Sequence, residues 1–271
     1  MISLYDRERT SVSKGALVEL SLGLNAYRND MVLVGGWVPY FLTYGYFDHC
    51  GSIDIDMVLR PNVMVRYESI RDIVVKGLGY RPTASRFSFE KRIVDKKGLP
   101  FSLKLDFLTE PQAALDAGLV RVQQDLDAAL IKGSSIAFVF NYEEGVSGEI
   151  PGKGEASELV RVADIVSCLT MKGMALGRPN KLEKDSYDIY AVSGFHKGSP
   201  SHAAKEFNRV ISDKADGHIP EATAQSLGRI YRGFENQNAY AAQAVTRFME
   251  SDVSVDAQER IKVFREGVQP R

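Results

Sequence analysis

Residues 34–56 read Val-Gly-Gly-Trp-Val-Pro-Tyr-Phe-Leu-Thr-Tyr-Gly-Tyr-Phe-Asp-His-Cys-Gly-Ser-Ile-Asp-Ile-Asp, and no other stretch constrains the fold so tightly. Met31 to Val34 is a short apolar run that reads as a buried strand. Gly35-Gly36 ends it, and 37–46 follows with helical character, Pro39 being tolerated in the first turn. Gly51-Ser52 then leads into a second apolar strand, 53–59, closed by Pro61. Side chains two apart on a strand share a face and lie roughly 6.5–7 Å apart. Asp54 and Asp56 therefore present two carboxylates to one spot. Flanked by Ile53, Ile55, Met57 and Val58, such carboxylates repel unless a cation or hydrogen-bond donors meet them. Hard cations such as Mg²⁺ take oxygen ligands and share their shell with substrate phosphates. Gly35 and Gly36 offer backbone N–H groups at a helix N-terminus, a setting suited to phosphate. Ser52 offers a hydroxyl to a phosphate oxygen, or caps a turn. The stretch reads as a metal and phosphate site.

The rest of the first half alternates between the two periodicities. Residues 11–28 and 67–78 have helical spacing, and 85–94, 101–108 and 136–140 read as strands. Asp95-Lys96-Lys97-Gly98 is a hairpin turn between two of these strands. Residues 141–158, rich in Gly and Glu, read as a loop or linker. Within them, Gly148-Glu-Ile-Pro-Gly152-Lys153-Gly154 has three residues rather than four between its glycines and no Ser or Thr after the lysine, so it is not a P-loop. From Asp164 onward the pattern is helical throughout: 164–176, 182–193, 200–211, 221–236, 239–249 and 255–266. The expected fold is α+β. A mixed sheet flanked by helices occupies 1–150, and an α-helical domain occupies 151–271.

Composition narrows the setting. A chain of 271 residues with 44% hydrophobic and 25% charged residues has the length and make-up to bury a core. The formal net charge is −1, but Leu59 to Lys104 carries 11 Lys and Arg against 4 Asp and Glu, an excess of seven positive charges able to attract a polyanion. The two cysteines, Cys50 and Cys168, have no metal-ligand spacing and no disulfide framework, and the four histidines are not paired. No signal peptide and no membrane-length apolar run is seen, so a cytoplasmic location is expected.

Two-metal nucleotidyl transfer needs a third carboxylate. Asp106 is the candidate: in Ser102-Leu-Lys-Leu-Asp-Phe107, Leu103, Leu105 and Phe107 face one side, Lys104 and Asp106 the other. Pairing of this strand with 53–59 would bring Asp54, Asp56 and Asp106 together as metal ligands. The set Gly35-Gly36, Gly51-Ser52-Ile53-Asp54-Ile55-Asp56 and Asp106 resembles the nucleotidyltransferase superfamily of the DNA polymerase β type. The resemblance covers roughly residues 30 to 110. It implies transfer of a nucleoside monophosphate from an NTP, with Mg²⁺ (Mn²⁺ as the alternative) as cofactor.

A second motif lies between Asp164 and Tyr190. Lys172 and Ala175 share a helix face, and Asp185 and Asp188 stand one turn apart on the next helix. Lys-x-x-Ala-x-x-Arg followed by Lys-Asp-x-x-Asp resembles the C-terminal signature of the AbiEii-like nucleotidyltransferase toxins, a family that includes the MenT toxins. That resemblance implies the toxin of a bacterial toxin–antitoxin or phage-defence pair, with RNA, above all the tRNA 3′ end, as acceptor and a cognate antitoxin as partner. It further implies that Lys172 contacts the NTP phosphates with Arg178. Asp185 or Asp188 would then assist the acceptor hydroxyl or position Lys172 and Arg178. On the same resemblance the helical domain completes the NTP and acceptor cleft. No membrane partner is expected. Two alternatives stay open: the Val-Gly-Gly-Trp opening also resembles aminoglycoside and lincosamide nucleotidyltransferases, and a non-catalytic NTP-binding module would carry the same residues.

Overall fold

The computed structural model describes residues 6–95, 97–110 and 118–269. The chain is α+β and divides into two compact units. One comprises Tyr5–Trp37 and Gly51–Ala163 and carries the sheet; the other takes Val38–Cys50 and everything from Asp164 onward and is helical.

The sheet unit opens with α1 (Arg7–Gly23), whose N-cap Asp6 accepts the N–H of Glu8 at 2.9 Å. Then come β1 (Met31–Val34), the start of α2 (Trp37–Leu42), β2 (Ile55–Leu59), α3 (Ile70–Asp72) running into a π turn (Ile73–Gly77), β3 (Arg81–Pro82), β4 (Ser88–Val94) and β5 (Pro100–Thr109). They are followed by β6 (Leu119–Gln123), β7 (Leu126–Leu130), a 3₁₀ turn (Ser134–Phe138), β8 (Asn141–Ile150) and β9 (Gly154–Ala163). The sheet order is β3-β4-β5-β2-β1-β9-β8, with β7 pairing to both β5 and β6. The pairings β2–β5, β1–β9 and β5–β7 are parallel and the others antiparallel, so the sheet is mixed.

Its two faces differ in chemistry. One carries the buried rows Ile55–Leu105–Phe89 and Leu33–Met57–Phe107. On this side Glu19 of α1 reaches Lys91, the partner of Leu103, at 2.6 Å. The other face carries the row Val34–Asp56–Asp106–Ser88. Leu103, Leu105 and Phe107 are buried while Lys104 is exposed, the alternation expected of this strand.

The helical unit holds α4 (Ile165–Ala175), α5 (Leu182–Phe195), α6 (Pro200–Ala215), α7 (Glu221–Gly233), α8 (Tyr240–Met249) and α9 (Ser254–Gly267). These match the six helical segments read from periodicity. Asp164 caps α4 by accepting from Val166 and Ser167, and Ser199 caps α6 ahead of Pro200. A Cβ at Gly173 would lie 2.8 Å from the carbonyl oxygen of Ser226, so this glycine sets how closely α4 and α7 pack. No helix among the described residues is long and apolar enough to cross a membrane.

Three segments depart from expectation. Residues 141–158 are not a linker: with 159–163 they form the β8–β9 hairpin, paired from Asn141↔Ala163 to Ile150↔Gly154. The glycines there serve packing. A Cβ on Gly15 would sit 1.9 Å from the Glu149 carbonyl oxygen, and one on Gly148 would sit 3.0 Å from the Gly15 nitrogen, so the glycines let α1 lie directly on β8. The near-P-loop is the hairpin turn, where Lys153 bonds Glu19 at 2.8 Å. Residues 136–140 are not a strand. The Glu110 carboxylate accepts from the N–H groups of Gly133 and Ser135, at 2.7 and 2.9 Å, and so seeds the 3₁₀ turn. The helix expected over 67–78 is confined to α3 and its π turn, with Ile70 and Val74 buried.

Candidate functional site

The carboxylate face of the sheet unit is organised around β2 and β5. Asp56 and Asp106 are directly paired on these parallel strands, so both side chains leave the same face from adjacent positions. Val34, paired with Asp56 on β1, hands the chain to Gly35-Gly36 beside this pair. Gly35 has φ +72, and a Cβ there would meet Asp56 Oδ2 at 1.9 Å. A Cβ on Gly36 would meet Ser52 Oγ at 2.7 Å. The glycine pair thus admits the Asp56 carboxylate and the Ser52 hydroxyl against bare backbone, which no larger residue permits. Gly51 repeats the logic at φ +76, with Thr10 Cγ2 2.3 Å from its would-be Cβ.

Of the three carboxylates expected to converge, Asp56 and Asp106 share a strand register, and Asp54 stands just ahead of it. Among the described residues no group of three or more His, Cys, Asp and Glu side chains is assembled as a metal shell. Asp54 lies one residue before β2 begins, in a bend. Ser52 Oγ donates to the Asp54 carbonyl at 2.9 Å and Ser13 Oγ to the Ile53 carbonyl at 2.7 Å. These bonds hold residues 52–54 in a turn, and the pleat that would set Asp54 beside Asp56 starts only at Ile55. Ser52 acts here as a turn cap. The remaining pair still fits a hard cation: Mg²⁺ is commonly held by one or two carboxylates plus substrate phosphates, keeping several waters.

Sequence reasoning missed Ser88. It pairs with Asp106 across β4–β5, and its hydroxyl donates to Asp106 Oδ1 at 2.5 Å. Counting outward from a turn at 95–98 would pair Ser88 with Leu105; the observed register sets Val94 against Pro100, one residue further on, and so brings Ser88 opposite Asp106.

The second motif assembles within the helical unit. Lys172 Nζ lies 2.8 Å from Asp185 Oδ1 and 2.7 Å from Asp188 Oδ2. Arg178 reaches Asp185 Oδ2 at 3.0 Å and Lys184 reaches Asp188 Oδ1 at 2.6 Å. Both aspartates are buried, and Arg178 is half-exposed. His49, from the segment that the helical unit shares with α2, closes the cluster with Nε2 3.0 Å from Asp188 Oδ1. Its ring stacks on Tyr187 at 4.9 Å.

Burial drives the His49 pKa down to about 4, helped by the Lys184 charge and resisted by Asp188. His49 is therefore neutral near pH 7 and donates its Nε2 proton to the carboxylate. Burial alone would raise the Asp188 pKa, but Lys172 and Lys184 outweigh it and hold Asp188 ionised well below the usual carboxylate range. Burial would likewise lower Lys172, yet Asp185 and Asp188 push its pKa above the usual lysine value. Lys172, Lys184 and Arg178 thus face Asp185 and Asp188 around a neutral imidazole. Lys184 belongs to the Lys-Asp-x-x-Asp motif, but His49 was not expected in this cluster; its 139-residue separation from Asp188 leaves no local signal.

No family model matches the chain, and no curated protein matches it. Among solved structures, an antigenic nucleotidyltransferase-like protein from Paracoccidioides brasiliensis superposes with a TM-score of 0.45 at 13% identity, over 81% of this chain and 87% of that one.

Proposed function

We propose that this protein is a metal-dependent nucleotidyltransferase that moves a nucleoside monophosphate from an NTP to RNA, the tRNA 3′ end foremost, as the toxin of a toxin–antitoxin or phage-defence pair. The observation that carries this reading is the in-register Asp56–Asp106 pair set against the Gly35-Gly36 turn. Asp56 and Asp106, with Asp54 from the preceding bend, would hold Mg²⁺ or Mn²⁺. The cation, when bound, would neutralise triphosphate charge and lower the pKa of the acceptor hydroxyl. The Gly35-Gly36 backbone would receive phosphate oxygens where no Cβ intervenes. Asp106, on the open face of the strand, would take the proton of the acceptor hydroxyl. The acceptor O–Pα bond forms, the Pα–O–Pβ bond breaks, and pyrophosphate leaves.

A polyanionic acceptor is favoured by the excess of seven positive charges between Leu59 and Lys104. On the carboxylate face of the sheet, exposed Lys104 and Arg92 contribute to it, with Glu90 between Arg92 and Ser88 as the register partner of Lys104. That local excess suits RNA better than a cationic drug. In the helical unit, Lys172, Arg178, Asp185 and Asp188 form the charged network that the toxin resemblance assigns to NTP phosphates and acceptor. Incubation with each of four labelled NTPs, Mg²⁺ and total RNA tests the reading. Label in tRNA supports it; no labelled RNA with any NTP and either metal defeats it.

A further inference from the structure

We infer that Ser88 is a positioning residue for the Asp106 carboxylate. The inference rests on the nucleotidyl-transfer reading above and adds a role that the motif residues do not include. Ser88 and Asp106 are register partners on β4 and β5, and Ser88 Oγ lies 2.5 Å from Asp106 Oδ1. That is the range of a charge-assisted O–H···O⁻ bond. The backbone that carries the hydroxyl is itself fixed. The Ser88 N–H donates to the Ser85 carbonyl at 2.9 Å, and the Ser88 carbonyl accepts from the Thr83 N–H at 3.0 Å and the Thr83 hydroxyl at 3.1 Å. Phe107 N–H bonds the Phe87 carbonyl at 2.9 Å and locks the two strands on either side of the contact.

A neutral donor on one carboxylate oxygen has two effects that a lysine or arginine would not combine. It removes rotational freedom from the Asp106 side chain, and it leaves the full negative charge in place for a cation. It also holds the Asp106 side chain in place beside Asp56, where like charges in register repel. Hydrogen bonds of this kind to ligating groups are worth about 10–100-fold in metal affinity or activity.

The test is Mn²⁺ binding followed by electron paramagnetic resonance of the free ion, in the presence of a non-hydrolysable NTP. Ser88→Ala, and Ser88→Cys as a near-isosteric poor donor, are expected to raise the half-saturating Mn²⁺ concentration about ten-fold or more, with thermal midpoints close to wild type. Ser88→Thr, which keeps the hydroxyl, is expected to restore binding, and for Ser88→Ala and Ser88→Cys steady-state kinetics should show a lower kcat with an unchanged KM for RNA. Wild-type Mn²⁺ affinity in folded Ser88→Ala and Ser88→Cys overturns the inference, as does a folded Ser88→Thr that binds as weakly as Ser88→Ala. Wild-type protein that binds no Mn²⁺ defeats the metal-site reading itself, and this inference with it.

Discussion

Asp56 and Asp106 stand side by side in register on parallel strands, two carboxylates on one face of the sheet. Like charges so placed oppose folding by up to about 1 kcal/mol. Asp106→Asn and Asp56→Asn keep shape and remove one charge. Each variant should match or slightly exceed wild type in denaturant unfolding while nucleotidyl transfer falls on the order of 10²–10³-fold or more. A variant that loses activity only in proportion to lost stability would mark the pair as structural.

Gly35 lies at φ +72, with Asp56 Oδ2 in the space a Cβ would take. Gly35→Ala combines a left-handed alanine with a direct clash. It should cost about 2–4 kcal/mol in urea unfolding, and it should impair transfer even at temperatures where the variant stays folded.

Lys172 holds two buried carboxylates at 2.7 and 2.8 Å. Lys172→Met keeps the length of the stem and deletes the charge. Asp185 retains Arg178, and Asp188 retains Lys184 and His49, so both buried side chains keep partners but lose one cation between them. The expected loss is about 3–5 kcal/mol, read by calorimetric or denaturant unfolding. A change below about 1 kcal/mol would mean that the network does not hold the helical unit together.

His49 gives the protein a defined response to acid. Its pKa falls from 6.5 unfolded to about 4 folded, so between these values the unfolded chain carries the extra proton. Stability is therefore complete above about pH 6.5 and declines as pH falls toward 4, by up to about 3 kcal/mol from this group. Asp188, whose pKa is lowered, adds a further loss as pH drops below its ordinary range. Unfolding midpoints across pH 4–7 measure the slope, and His49→Gln should flatten it.

Much of this was legible in the chain. The period-2 alternation of β5 placed Asp106 on the polar face, and the helical periodicity after Asp164 gave all six C-terminal helices. The failures have physical causes. Glycine at 145, 148, 152 and 154 suggested a loop, whereas Gly148 is there because α1 touches β8. Ile136–Phe140 has strand-like residues, but a carboxylate 24 residues upstream of Ser134 caps its backbone into a 3₁₀ turn. Asp54 matched the Asp-x-Asp spacing, and only the Ser52 and Ser13 hydrogen bonds reveal that the strand begins after it. Contacts such as His49–Asp188 depend on tertiary packing, and single-sequence periodicity does not encode them.

The central claim is transfer of the α-phosphoryl group by the Asp56–Asp106 pair. Parallel reactions with NTP labelled at the α- or the γ-phosphate, Mg²⁺ and tRNA, run with wild type, Asp56→Asn and Asp106→Asn, test it most directly. The account predicts α-label in tRNA, γ-label recovered as pyrophosphate, and both products falling on the order of 10²–10³-fold or more in the two variants. Transfer of γ-label to the acceptor, or α-labelling by Asp56→Asn at the wild-type rate, would contradict it.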